Sequence, residues 1–160
     1  MKEIELKIRK LPDPVLRKVA AKVVKVGDSD RHVLLLMAKA MYINQGVGLA
    51  ALQVGIDRQL AVIDVGDGLI KLINPVIIRR EGSETQEEGC LSVPGEYVRV
   101  KRSKKVTVNF LKEGGEAVQL KADGLLARAI QHEIDHLSGC LIVDYLNPIK
   151  KMLVKRRFRK

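Results

Sequence analysis

With 160 residues and 46% hydrophobic content, the chain has material for one core of ordinary size, so a single domain over residues 1–160 is expected. Two cysteines cannot build a disulfide framework, and no apolar run is long enough to span a bilayer. The charged opening Met1-Lys2-Glu3-Ile4-Glu5-Leu6-Lys7 also lacks the apolar centre of a secretory signal. These features predict a cytoplasmic protein with no membrane partner. The formal charge of +10 leaves polyanions open as partners.

In chain order, Asp13-Pro14 predicts the start of a short helix, with proline suited to the first helical position. A longer helix is expected after Asp28-Ser29-Asp30, running through Leu34, Leu35, Met37, Ala38 and Met41. It gives way to Gly46-Val47-Gly48, where the missing Cβ atoms permit a tight turn or close approach of another chain. The glycine spacing is not that of a dinucleotide fingerprint, and no βαβ context surrounds it. Leu60–Ile63, Leu69–Ile73 and, after Pro75, Val76–Ile78 read as strands. Val98 and Val100, then Val106, Val108 and Phe110, alternate as half-buried strands do. Gly114-Gly115 turns the chain into Val118-Gln119-Leu120.

A helix is then predicted from Asp123, a candidate N-cap, through Leu125–Ile130, Ile134 and Leu137 to a stop at Gly139. Asn147-Pro148 opens a final basic helix over about residues 147–160. Strands gathered between helices predict an α+β fold: antiparallel sheets around the helix carrying His132, with a C-terminal helix.

That helix holds Gln131-His132-Glu133-Ile134-Asp135-His136. Residues i and i+4 lie on one helix face, so His132 and His136 can grip one divalent metal. Glu133 beside them can handle protons at a metal-bound water. Enclosing two histidines and a glutamate within one apolar turn is costly unless something pairs with them. For a third ligand the extended protease patterns fail, because position 142 is Ile142 and the region about twenty residues on is basic and apolar. Cys140, Asp144 and Cys90 remain as donors, while Asp135 falls on the wrong side of the helix. Cys140 and Cys90 each have the ordinary alternative of a small buried hydrophobe.

Three segments occur in order: Gly46-Val47-Gly48-Leu49-Ala50-Ala51-Leu52-Gln53, Glu88-Gly89-Cys90-Leu91-Ser92, and Gln131–Leu137. Together they resemble peptide deformylase, and the likeness extends to Pro12–Arg17 and Asp144-Tyr145-Leu146 near the two ends. The resemblance implies a metallohydrolase that removes the formyl group from the N-terminal formylmethionine of nascent polypeptides. It implies Cys90, His132 and His136 as metal ligands and Glu133 as general base and acid. The side chain of Gln53 and the backbone N–H of Leu91 would stabilise the oxyanion. It also implies one divalent ion per chain, ferrous iron in the first place, with zinc, nickel or cobalt also suited to thiolate and imidazole.

The peptide would lie along Gly46, Val47, Gly48 and Gly89, with its methionine against Leu125 and Ala129. Arg128 is an odd charge in that wall, and Tyr97 stands where some relatives have arginine. Lys150, Lys151, Lys155, Arg156, Arg157, Arg159 and Lys160 form a run without one acidic residue. Such a run suits either a solvated helix face or a polyanion, and the resemblance implies ribosomal RNA as a candidate partner. A peptidase with the same helix motif and an RNA-binding protein with a structural metal are the rival classes.

Overall fold

In a computed structural model, which describes residues 2–159, the elements follow the expected order with informative exceptions. A 3-10 turn, Pro14–Arg17, is capped by the Asp13 carboxylate, which accepts from Val15 N. Helix α1 (Asp28–Ile43) buries Leu34, Met37, Ala38 and Met41. A short strand β1 (Gly48–Ala50) and a 3-10 turn (Ala51–Val54) follow where only a glycine turn was expected. Strand β2 (Leu60–Ile63) is fully buried.

The segments expected as two strands around Pro75 are one, β3 (Ile70–Glu81), and Leu69 lies outside it. The strand survives its proline because the pairing to β6 (Lys105–Leu111) is irregular there. The register shifts between Ile73 and Val76, and Asn74 takes a positive φ of 51°. The Asn74 side chain turns away to bond Val23 through both its amide atoms.

β7 (Ala117–Asp123) completes a five-stranded antiparallel sheet in the order β1-β2-β3-β6-β7. A separate antiparallel pair joins β4 (Glu84–Glu88) to β5 (Val98–Arg102). Helix α2 (Gly124–Leu137) packs its Ala127, Ala129 and Ile130 against the large sheet, meeting Ala61, Leu72 and Val108. Asp123 does occupy its N-cap position, but the side chain makes no capping bond. The stop at Gly139 is enforced sterically: φ is +75°, and a Cβ would lie 2.6 Å from the Arg17 carbonyl oxygen.

β5 belongs to a different apolar cluster, in which Val98 and Val100 meet Leu16, Leu141 and Val143. Helix α3 (Pro148–Arg157) ends before the expected 160, and Lys160 lies outside the described residues. Among the described residues, no helix is long and apolar enough to cross a membrane. The α+β architecture of antiparallel sheets around the motif helix is as expected.

Candidate metal centre and substrate cleft

α2 presents His132 and His136 one turn apart, with Nε2 atoms 3.2 Å from each other. The segment following β4 brings Cys90 Sγ to 3.3 Å from His136 Nε2. Among the described residues these three are the set whose donor atoms converge on a common point, all within 4.8 Å. Cys140 stands apart as a half-buried thiol, pushed up to about 11 by burial and by the nearby carboxylates Asp135 and Asp144. Asp135 is paired with Arg102 and is not one of the converging donors.

The donor set fits a divalent ion. A four-coordinate site with bonds of about 2.0–2.3 Å needs donors a little over 3 Å apart, and a thiolate with two imidazoles suits borderline-soft metals. Glu88 accepts only, so His132 Nδ1 carries the proton it donates to Oε1 at 2.9 Å, and Nε2 keeps its lone pair for the metal. Burial alone would push the Glu88 carboxyl up, yet His132 and Arg102 hold it down to about 2. Burial would likewise lower His132, but in the metal-free protein contacts with Cys90 and Glu88 raise it to about 10, so a metal at Nε2 would displace a proton there. His136, enclosed beside it, is driven the other way.

Glu133 is 3% exposed, and its Oε2 has no hydrogen-bond partner among the described residues. Burial pushes its carboxyl up to about 7, against the pull of His132 and Arg102. A Cβ on Gly48 would sit 2.4 Å from Glu133 Oε1, so the glycine is needed for the carboxylate to lie over β1. Gln53 is also buried and its orientation is determined. Oε1 accepts from Ala50 N at 2.9 Å, leaving Nε2 toward Ser92 Oγ at 3.1 Å and Cys90 Sγ at 3.6 Å.

A cleft of about 600 Å³ opens above this centre, and its lining includes every residue expected to touch the peptide. Gly46, Val47 and Gly48 line it together with Gly89, Cys90 and Leu91. Leu125, Ala129 and Tyr97 complete the wall, with Gln53, His132 and Glu133 at its base. Tyr97 is largely exposed, and a Cβ on Gly89 would come within 3.1 Å of its ring.

Roles for Glu88, Arg102 and Ser92 are not apparent from the sequence alone. The available signal was parity: Val98, Val100 and Arg102 share the buried face of β5, so Arg102 points inward and needs a buried anion.

Three converging donors, a buried carboxylate beside them and a cleft of about 600 Å³ above them define a metallohydrolase. A family model described as polypeptide deformylase matches residues 5–152. The peptide deformylase of Caldanaerobacter subterraneus subsp. tengcongensis is 53% identical over 137 residues, covering 86% of each chain. The crystal structure of a peptide deformylase from Legionella pneumophila superposes with a TM-score of 0.92 at 43% identity, covering 97% of this chain and 94% of that one. A structure from Synechococcus elongatus, solved in complex with actinonin, gives 0.90 at 43% identity, covering 99% of this chain and 88% of its own. The chain belongs to the polypeptide deformylase family, and its reaction is the hydrolytic removal of an N-formyl group from a peptide.

Proposed function

We propose that the substrate is the N-terminal formylmethionine of newly synthesised polypeptides, and that Glu133 moves the proton. The observation carrying this reading is the unpartnered Oε2 of a buried carboxylate beside the Cys90, His132 and His136 donors. When bound to Cys90 Sγ and the two Nε2 atoms, a divalent ion supplies a Lewis acid and lowers the pKa of water toward 7. We place ferrous iron there first, with zinc, nickel and cobalt compatible with the same donors. Glu133 accepts the proton of the attacking water and returns it to the departing amine. Gln53, whose Oε1 accepts from the Ala50 N–H, donates through Nε2, and Leu91 donates through its N–H, to the oxygen that gains charge at the formyl carbon.

The peptide lies as an added strand between the edges at Gly46–Gly48 and Gly89–Leu91. Backbone hydrogen bonds there accept varied sequences. Its methionine side chain packs on Leu125 and Ala129. The test is deformylation of a formyl-Met peptide by anaerobic, iron-loaded protein. Glu133→Gln should keep the metal and lose about 10²–10⁴-fold in turnover. Cys90→Ala should lose both metal and activity. Parental turnover by Glu133→Gln would sink the proton-transfer role. Actinonin, bound to the Synechococcus elongatus relative, should compete with the peptide in the same cleft.

A cytoplasmic site of action follows from a nascent-chain substrate, and α3 suggests how the chain is met. Lys151 and Arg157 are tied to Asp144 and Glu96, while Ile149, Met152 and Leu153 are exposed beside Lys150, Lys155 and Arg156. Contact with ribosomal RNA through this face predicts salt-sensitive ribosome binding, weakened by reversing Lys150, Lys155 and Arg156 to glutamate. Equal, salt-insensitive binding by that variant would remove the proposal.

A further inference from the structure

The pieces that supply the metal donors come from different parts of the fold. His132 and His136 ride on α2 against the five-stranded sheet, whereas Cys90 follows β4 and packs with the cluster around β5. Behind the site they are joined by polar groups. Glu88 accepts from Arg102 at both oxygens, 2.9 Å each, and from Arg128 Nη1 at 2.6 Å while facing His132.

Arg102 continues to Asp135 on α2 and to the Tyr145 hydroxyl. Arg128, itself on α2, continues to the carbonyls of Val100 at 3.0 Å and Glu84 at 2.8 Å. One guanidinium therefore reaches both strands of the β4–β5 pair and the carboxylate that orients a histidine. The charge that looked out of place in an apolar wall is met by the Glu88 carboxylate and two backbone carbonyls, and the residue is buried.

Resting on the assignment of Cys90, His132 and His136 as ligands, we propose that Arg128 is a positioning residue for the metal centre. It pins the β4–β5 pair to α2 and thereby fixes the separation of Cys90 from the imidazoles. It also presses Glu88 onto His132 Nδ1, fixing the tautomer and ring orientation. Arg102 shares both tasks from the β5 side, through Asp135 on α2 and through Glu88. Arg128 is the contact by which α2 holds the outer end of β4.

Partners that orient a ligand typically alter metal affinity by about 10–100-fold when removed. The test loads parent, Arg128→Met and Arg128→Lys with cobalt, following release to excess chelator and the thiolate–cobalt absorption. Met keeps the stem and loses every donor. Release about 10–100-fold faster, with a weakened thiolate band, is the expected result. Arg128→Lys keeps the charge but has no planar fork, and should lie between.

Release from a folded Arg128→Met within twofold of the parent would overturn the proposal. So would a raised peptide KM with unchanged release, which would make Arg128 a cleft wall only. Should Arg128→Met not fold, parental release from Arg128→Lys overturns the proposal and accelerated release supports it. A parent that binds no cobalt removes the ligand assignment and this role with it, whereas cobalt binding without deformylation counts against the substrate reading alone.

Discussion

Glu88 and Asp144 are each gripped by two cationic side chains, at different depths in the molecule. Glu88 lies between Arg102 and Arg128, with side chains 6%, 4% and 9% exposed. Asp144 lies between Arg17 and Lys151, at 20%, 36% and 32%. The inner cluster has exchanged water for hydrogen bonds it must keep, since an unpaired charge there has no solvent to turn to. The outer one retains partial hydration and is screened by salt. The same three-residue motif therefore orients a metal ligand in one place. In the other it ties the Pro14–Arg17 turn and α3 to the turn Ile142–Tyr145.

The sharpest way to break the comparison is to delete each carboxylate. Glu88→Ala removes the carboxylate that two buried guanidinium groups share, leaving Arg128 with backbone carbonyls alone, and should cost about 3–5 kcal/mol. In urea unfolding of the metal-free protein this appears as a large drop in midpoint, insensitive to 1 M NaCl. A loss under about 1 kcal/mol would mean that water enters the cluster and that burial is not what distinguishes it.

This difference in depth also explains what could be read in the sequence. α2 was legible because its apolar residues recur at helical spacing and two histidines interrupt them at i and i+4. β5, β6 and β7 were legible by alternation. β4 was not: Glu84-Thr85-Gln86-Glu87-Glu88 has no apolar residue, and only Glu88 is buried. Its strand character comes from pairing with β5, a tertiary fact. β1 was hidden for a related reason, being three residues long and formed against β2. The ligand trio was found through whole motifs. Its supporting shell joins residues 14 and 40 positions apart in a way no local pattern encodes. Arg128 was noticed as anomalous, and only its three acceptors explain it.

The outer cluster makes the smaller and more conditional prediction. Burial would raise the Asp144 carboxyl, but Arg17, the Leu141 N–H and Lys151 hold it well below its ordinary value near 3.8. A carboxyl whose folded pKa is depressed contributes stability that is fully present above the unfolded value. That stability is lost as pH falls through the folded one. The parent should therefore lose part of its urea midpoint between about pH 5 and pH 2.

Asp144→Asn keeps an acceptor for Leu141 N while removing the charge, so at pH 7 it should cost only about 1 kcal/mol. Its deficit should shrink in 1 M NaCl and vanish as the parent's Asp144 protonates. Parallel acid profiles for the two proteins would show that Asp144 contributes no ionic stabilisation. A deficit at pH 7 as large as that of Glu88→Ala would show that charge pairing, and not depth, sets the cost in both clusters.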